Sequence, residues 1–175
     1  MKKILITVII FISFIFNAKA AEVFDVKVHK DVKSEFNSIN TSDDFFYHEV
    51  PRGIVLSVSD DILFKNNESD ELTLNPQAYT ILDKISEILM KITNDCTIEG
   101  YSDRILSAQE NLDLSIIKAD LVADYILRKT PKLHDRIFSV GFGNAVPFSS
   151  EVKSYQGKKL DNRINFVIIQ YDATR

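Results

Sequence analysis

Apolar positions along the chain follow two spacings, one typical of strands and one typical of helices. Residues 54–58, 96–101, 136–141 and 163–171 are rich in β-branched and other apolar residues and predict four strands. Residues 76–92 and 107–128 repeat apolar residues three and four positions apart, which predicts two amphipathic helices. The predicted order is strand, helix, strand, helix, strand, strand. It fits an α+β fold, a two-layer α/β sandwich with both helices on one face of a mixed sheet.

Local signals define the ends of the two predicted helices. Asn75 and Pro76 suit the N-cap and the first position of the first helix. Ser107 and Glu110 have the spacing of a capping box and predict the start of the second helix. Thr130-Pro131 is expected to end it. Residues 143–162, between the last two strands, are expected to form a long loop.

The first twenty residues have the features of a secretory signal peptide. Lys2 and Lys3 precede an apolar run at residues 4–16, and Ala18 and Ala20 form an A-x-A cleavage pattern. We expect cleavage near Ala20, which leaves residues 21–51 as an N-terminal extension or linker and residues 52–172 as the folded domain. The thirteen-residue run is shorter than the roughly twenty residues that a spanning helix needs. An uncleaved membrane anchor remains the alternative.

Composition narrows the classes of function. The net charge of −4 argues against nucleic-acid binding, which needs a basic surface. Cys96 is the only cysteine, and its place in a strand predicts a buried, unreactive thiol. The three histidines are scattered without the spacing of a catalytic or metal site. We therefore expect no cofactor and no metal.

Two charged residues give the sequence its main candidate chemistry. Asp103 follows a predicted strand, and Lys118 lies fifteen positions later on the second predicted helix. Asn111 and Ser115 precede Lys118 by seven and three positions and share its helix face. A carboxylate and an ammonium on adjacent elements suit a ligand that carries both an amine and a carboxylate. The alternative is that Asp103 caps a turn and Lys118 is a solvated surface lysine.

Several short motifs, taken in order and spacing, resemble a known family. The pieces are G-I-V-L at 53–56 with I-L-F at 62–64, I-E-G-Y-S-D at 98–103, N-x-x-L-S-x-x-K-A at 111–119, G-F-G at 141–143 with Pro147, and N-R at 162–163. From about residue 52 to residue 171 the chain resembles the OmpA-like peptidoglycan-binding domain of OmpA C-terminal domains, Pal lipoproteins and MotB. No single piece is specific, but their common order and spacing are.

The resemblance implies a ligand and a set of site residues. In that family the positions matched by Asp103 and Lys118 hold the two ends of diaminopimelate in the peptidoglycan stem peptide, the carboxylate taking the amine and the cation taking the carboxylate. The position of Asn111 adds hydrogen bonds, and Asn67 and Ser102 match further candidate positions. Arg163 is either a ligand group or a structural residue that pairs with an acid beneath the sheet.

The chain departs from the family pattern at four places. Lys118 stands where the family usually has arginine, which loses the bidentate fork of a guanidinium. Leu106 replaces a usual glycine, Ile164 replaces a second arginine, and the approach to Asn162 is one residue longer. The departures keep open an OmpA-like fold that has lost wall binding and serves as an interaction or structural component of an envelope assembly.

The resemblance also implies a location and partners. The expected location is the periplasm, associated with the outer membrane or the cell wall, and the expected partner is peptidoglycan. An envelope membrane protein or a secretion or motor complex is a further candidate partner. An enzyme acting on the wall is the least favoured hypothesis. Hydrolysis needs paired acids or a metal site, and Asp103 has no evident acidic partner in the sequence.

Overall fold

The computed structural model describes residues 32–36, 38, 44–65, 72–103, 106–148 and 155–170. In this part of the chain five strands form one sheet in the order β1-β2-β5-β3-β4. The strands are β1 (Phe45–Val50), β2 (Gly53–Ser59), β3 (Cys96–Tyr101), β4 (Ile137–Gly141) and β5 (Arg163–Ile169). The helices with described bounds are α1 (Asp60–Leu63), α2 (Pro76–Lys91), α3 (Ala108–Lys129) and α4 (Tyr155–Lys159), with a 3₁₀ turn at Pro131–Leu133. Residues 32–36 are also helical.

The sheet is mixed, as the sequence predicts. The central strand β5 is antiparallel to both β2 and β3, whereas β4 is parallel to β3. The parallel pair is joined by α3, because parallel neighbours need a long crossover connection. The α+β class and the two main helices are confirmed. The predicted order of elements lacks β1, α1 and α4.

Both long helices pack on one face of the sheet. Leu82 and Ile85 of α2 and Val122 and Ile126 of α3 are buried within one apolar core. The strands contribute alternate residues to this core, as expected where successive side chains point to opposite faces. These residues are Phe45, Ile54, Leu56, Val58, Cys96, Ile98, Ile137, Ile164, Phe166 and Ile168.

The other face of the central strands carries a buried polar network. Ser57, Asn165 and Glu99 lie side by side across β2, β5 and β3. Ser57 donates a hydrogen bond to Asn165 at 2.8 Å. Glu99 is 1% exposed and accepts hydrogen bonds from Arg52 at 3.0 Å and from the hydroxyl of Tyr101 at 2.9 Å. Arg52 thus neutralises a carboxylate whose burial would otherwise be costly.

The folded unit begins before residue 52, which corrects the predicted boundary. Residues 45–50, assigned to the extension by sequence, form β1 and pair along their length with β2. Val32, Phe36 and Phe45 join the apolar core, at 1%, 1% and 6% exposure. The predicted signal peptide and residues 21–31 lie outside the described residues. Among the described helices, none combines the length and apolar character needed to cross a membrane.

The predicted helix ends agree with the structure. Pro76 opens α2 with Asn75 as its N-cap, although the Asn75 amide donates to the carbonyl oxygens of Asp61 and Phe64 instead of capping the helix. Ser107 and Glu110 form both hydrogen bonds of a capping box at the start of α3. The predicted loop at 143–162 contains the short helix α4, and the last strand ends at Ile169 within the described residues.

Candidate functional site

Asp103 lies just beyond the C-terminal end of β3, with its side chain exposed. Its backbone N–H donates a hydrogen bond to Oδ1 of Asn162, at 3.0 Å. Asn162 immediately precedes β5, which pairs with β3, and Arg163 lies opposite Tyr101 in that pairing. The carboxylate therefore stands in solvent on a turn that is held from the neighbouring strand.

Ser102 and Asn111 support this turn from inside. Both side chains are 0% exposed, and Oγ of Ser102 donates to Oδ1 of Asn111 at 3.2 Å. The Asn111 amide donates to the carbonyl oxygen of Leu106 at 3.3 Å. The backbone N–H of Ser102 donates to the carbonyl oxygen of Gly143 at 2.9 Å. Ser102 and Asn111, both predicted to bind the ligand, thus lie close to Asp103. Their side chains form hydrogen bonds with each other and with the backbone of Leu106.

The first half of α3 lies unusually close to the sheet beneath the site. A Cβ atom added to Gly100 would stand 2.0 Å from the carbonyl oxygen of Ser115, so only glycine fits there. Oγ of Ser115 accepts a hydrogen bond from the backbone N–H of Gly143 at 2.9 Å. Gly143 has φ of 55°, a conformation that glycine adopts without strain. These contacts fix the loops after β3 and β4 against the start of α3.

Lys118 lies in the interior. Its side chain is 0% exposed, and its ammonium forms an ion pair with the carboxylate of Asp60, at the start of α1. The predicted alternative of a solvated surface lysine is therefore wrong. The predicted row of Asn111, Ser115 and Lys118 on one helix face is confirmed, since all three side chains face inward. A ligand carboxylate that reached Lys118 would have to share or displace Asp60.

Arg163 is also buried, at 4% exposure, and its guanidinium is held within the protein. It donates to Oδ1 of Asn165 and to the carbonyl oxygen of Leu160, each at 3.0 Å. It also lies 3.7 Å from the ring centroid of Tyr101. Burial and the neighbouring Glu99 carboxylate raise the pKa of Tyr101 to about 12, so this ring keeps its proton at neutral pH. The guanidinium of Arg163 thus contacts groups of the protein, and the buried carboxylate of Glu99 is bound by Arg52.

Two residues of the site could not be assigned a role from sequence. Asp60 is 58 positions from Lys118, and no local spacing connects them. Asn162 stood in the motif that carried the family resemblance, but its contact with the Asp103 turn depends on the pairing of β3 with β5. Asn67, the remaining predicted ligand residue, lies outside the described residues.

Comparison with known proteins supports the fold. A model of the OmpA family matches residues 64–159, which is more than half of the chain. The peptidoglycan-binding protein ArfA of Mycobacterium tuberculosis is 32% identical over 102 residues, covering 57% of this chain and 30% of ArfA. The chain therefore spans about a third of the length of the curated relatives that it matches.

Solved structures show the same fold at low sequence identity. A putative MotB-like protein from Desulfovibrio vulgaris has a TM-score of 0.70 at 17% identity, over 89% of this chain and 99% of that one. The cell wall anchor of the T6SS from Pseudomonas aeruginosa has a TM-score of 0.59 at 19% identity, over 82% of this chain and 94% of that one. At these identities the likeness concerns the fold alone.

Proposed function

The chain belongs to the OmpA family, and we propose that it is a non-enzymatic, periplasmic peptidoglycan-binding module. The observation that carries the proposal is the exposed carboxylate of Asp103, held on a turn between β3 and α3 by Asn162, Ser102 and Asn111. A curated relative at 32% identity is named for peptidoglycan binding. An exposed carboxylate held in this way suits binding of a cationic ligand group.

In this proposal Asp103 binds the side-chain amine of diaminopimelate in the stem peptide. An ammonium and a carboxylate form a charge-assisted hydrogen bond that contributes about 1.5–3 kcal/mol. Lys118 supplies the positive charge for the ligand carboxylate, after rearrangement of its pair with Asp60. That rearrangement opposes binding, because separating a buried pair exposes each charge to an apolar surrounding. We therefore expect Asp103 to contribute more of the affinity than Lys118.

Co-sedimentation with purified sacculi tests the proposal. The chain without residues 1–20 should sediment with diaminopimelate-containing sacculi, and Asp103→Ala should remain in the supernatant. Asp113→Ala is the matched control, because it removes another exposed carboxylate near the start of α3. Wild-type protein that stays wholly soluble would refute wall binding. Released muropeptides would instead indicate an enzyme.

Measuring how much Lys118 contributes to ligand binding requires a variant that leaves no unpaired charge in the interior. Asp60→Asn combined with Lys118→Met removes both charges of the buried pair together. If Lys118 binds the ligand carboxylate, this folded double variant should sediment less than the wild type. Equal sedimentation would assign Lys118 to the fold alone. Circular dichroism and urea unfolding establish that the double variant is folded.

The alternative function is an OmpA-like domain that has lost wall binding and acts within an envelope assembly. Two observations favour it: the ammonium of Lys118 is occupied by Asp60, and Leu106 exposes 44% of its surface beside the site. This function predicts that the folded chain is recovered with an envelope protein and not with sacculi. A motor or secretion component is a candidate partner, since solved structures of the same fold come from such systems.

We propose that export precedes either role, with the signal peptide removed near Ala20. Intact-mass measurement of protein from the periplasmic fraction tests this directly. A mass corresponding to a start at Ala21 would support cleavage. Full-length protein found in the membrane fraction would support an uncleaved anchor instead.

A further inference from the structure

Asn162 contacts both halves of the candidate site through two different oxygen atoms. Its side-chain Oδ1 accepts the hydrogen bond from the backbone N–H of Asp103, at 3.0 Å. Its backbone carbonyl oxygen accepts a hydrogen bond from the N–H of Asp60, at 3.1 Å. Asp60 in turn holds the ammonium of Lys118. One half-buried residue thus links the exposed carboxylate to the buried ion pair.

We propose that Asn162 is a positioning residue for peptidoglycan binding, which sets the orientation of Asp103 relative to the Asp60–Lys118 pair. This inference rests on the proposed function and deepens it. The side chain of Asp103 is exposed, so its direction depends on the hydrogen bond that the Asp103 backbone N–H donates to Oδ1 of Asn162 and on Ser102 behind it. A small displacement of a charged group weakens a charge-assisted hydrogen bond, because that bond depends on distance and direction.

The geometry also explains why an asparagine suits this position. The carbonyl half of the amide accepts from the backbone of Asp103, which leaves the NH₂ half to donate. An aspartate at position 162 keeps the acceptor for the Asp103 N–H but lacks the NH₂ donor. An alanine removes both groups.

The test compares three variants of the chain without residues 1–20, using a soluble muropeptide that contains diaminopimelate as the probe. Asn162→Ala should bind roughly five- to tenfold more weakly, as expected for loss of one hydrogen bond. Its Asp103 amide, followed by NMR, should exchange faster with solvent. Asn162→Asp should recover the slow exchange and part of the binding, because the acceptor oxygen is kept.

Asn94→Ala is the matched control. Its side chain donates to the carbonyl oxygen of Ile169 at 2.9 Å, at the opposite end of β3. It should lose stability without a change in affinity or in exchange at Asp103. Wild-type affinity and wild-type exchange in Asn162→Ala would overturn the inference.

A failure of the proposed function can be distinguished from a failure of the inference about Asn162. If the wild-type chain binds no muropeptide, wall binding fails, and exchange at Asp103 then decides only whether Asn162 holds the backbone of Asp103 in place. Faster exchange in Asn162→Ala with rescue in Asn162→Asp supports that role. Unchanged exchange in Asn162→Ala overturns it.

Discussion

At the scale of single residues, Lys118 and Asp60 depend on each other. Lys118 is fully buried and the Asp60 side chain is 8% exposed, so removing either partner leaves the other charge with little access to water. Breaking a buried pair in this way costs about 3–5 kcal/mol, whereas replacing both partners together costs much less. The pair therefore explains why a lysine is retained inside this protein whether or not it touches a ligand.

Lys118→Met should lower the free energy of unfolding by about 3–5 kcal/mol. Asp60→Asn combined with Lys118→Met should be more stable than the sum of the two single losses predicts. Urea unfolding of the two single variants and the double variant measures this coupling. Additive losses within about 0.5 kcal/mol would contradict a direct buried pair.

The burial of the Cys96 thiol makes the free energy of unfolding depend on pH. Burial raises the pKa of its thiol from 9.0 to about 12, so the folded state keeps a proton that the unfolded state releases above pH 9. The folded state then binds more protons than the unfolded state, and stability falls as pH rises from about 9 towards 12. Replacing Cys96 with alanine should make this alkaline decline shallower, measured by urea unfolding at several pH values. An identical slope in both proteins would contradict the assignment.

At the scale of elements, the approach of α3 to β3 sets the geometry of the site. Gly100→Ala would place a Cβ atom 2.0 Å from the carbonyl oxygen of Ser115, a backbone atom that cannot rotate away. We expect a loss of about 1–3 kcal/mol or more, typical of overpacking in a core. Thermal unfolding followed by circular dichroism measures it. A melting temperature equal to that of the wild type would show that α3 shifts freely.

The sequence predicts those elements whose signals are local. The bounds of β3 and the start of α3 at the Ser107–Glu110 capping box agree with the structure, because short-range hydrogen bonds and apolar spacing determine them. The strand β1 was not predicted, because its first residues follow a polar segment and it is stabilised by pairing with β2. The short helix α1 was likewise missed, because four residues carry too little periodicity.

The residues of the candidate site also differ in how far local sequence signals predict them. Asp103 was proposed because it follows a recognisable strand, and the structure leaves it exposed. The partners of Lys118 and Arg163 were not predictable, since Asp60 and the ring of Tyr101 reach them only through the tertiary fold. Residue spacing can indicate that a charge lies on a given helix face, but not which distant residue neutralises it.

At the scale of the whole molecule, the segment before residue 52 belongs to the folded unit. A chain that begins at residue 52 lacks β1 and the buried side chains of Val32, Phe36 and Phe45. Each such side chain contributes about 1.5–3 kcal/mol when fully buried. The truncated chain should therefore unfold at clearly lower urea than a chain that begins at residue 21. Equal midpoints would show that residues 32–50 only lie against an independent domain.

Under the proposed function, retention on the cell wall also depends on the whole molecule. Association costs about 4 kcal/mol or more in lost freedom of motion. A few polar contacts to a small, solvated ligand leave little net binding free energy after that cost, so a single site should bind weakly. The wall offers many copies of the stem peptide, and repeated rebinding retains a protein whose individual contacts are brief. Weak monomeric affinity is therefore compatible with stable attachment.

Binding of diaminopimelate at Asp103 is tested most directly by an NMR titration of the chain without residues 1–20 with a soluble diaminopimelate-containing muropeptide. We predict saturable shifts at Asp103, at the start of α3 and at Asn162, with a Kd between about 1 μM and 1 mM. Asp103→Asn, which keeps the shape but removes the charge, should abolish saturation. A wild-type spectrum that does not change at millimolar ligand, or an Asp103→Asn variant that titrates like the wild type, would contradict binding at Asp103.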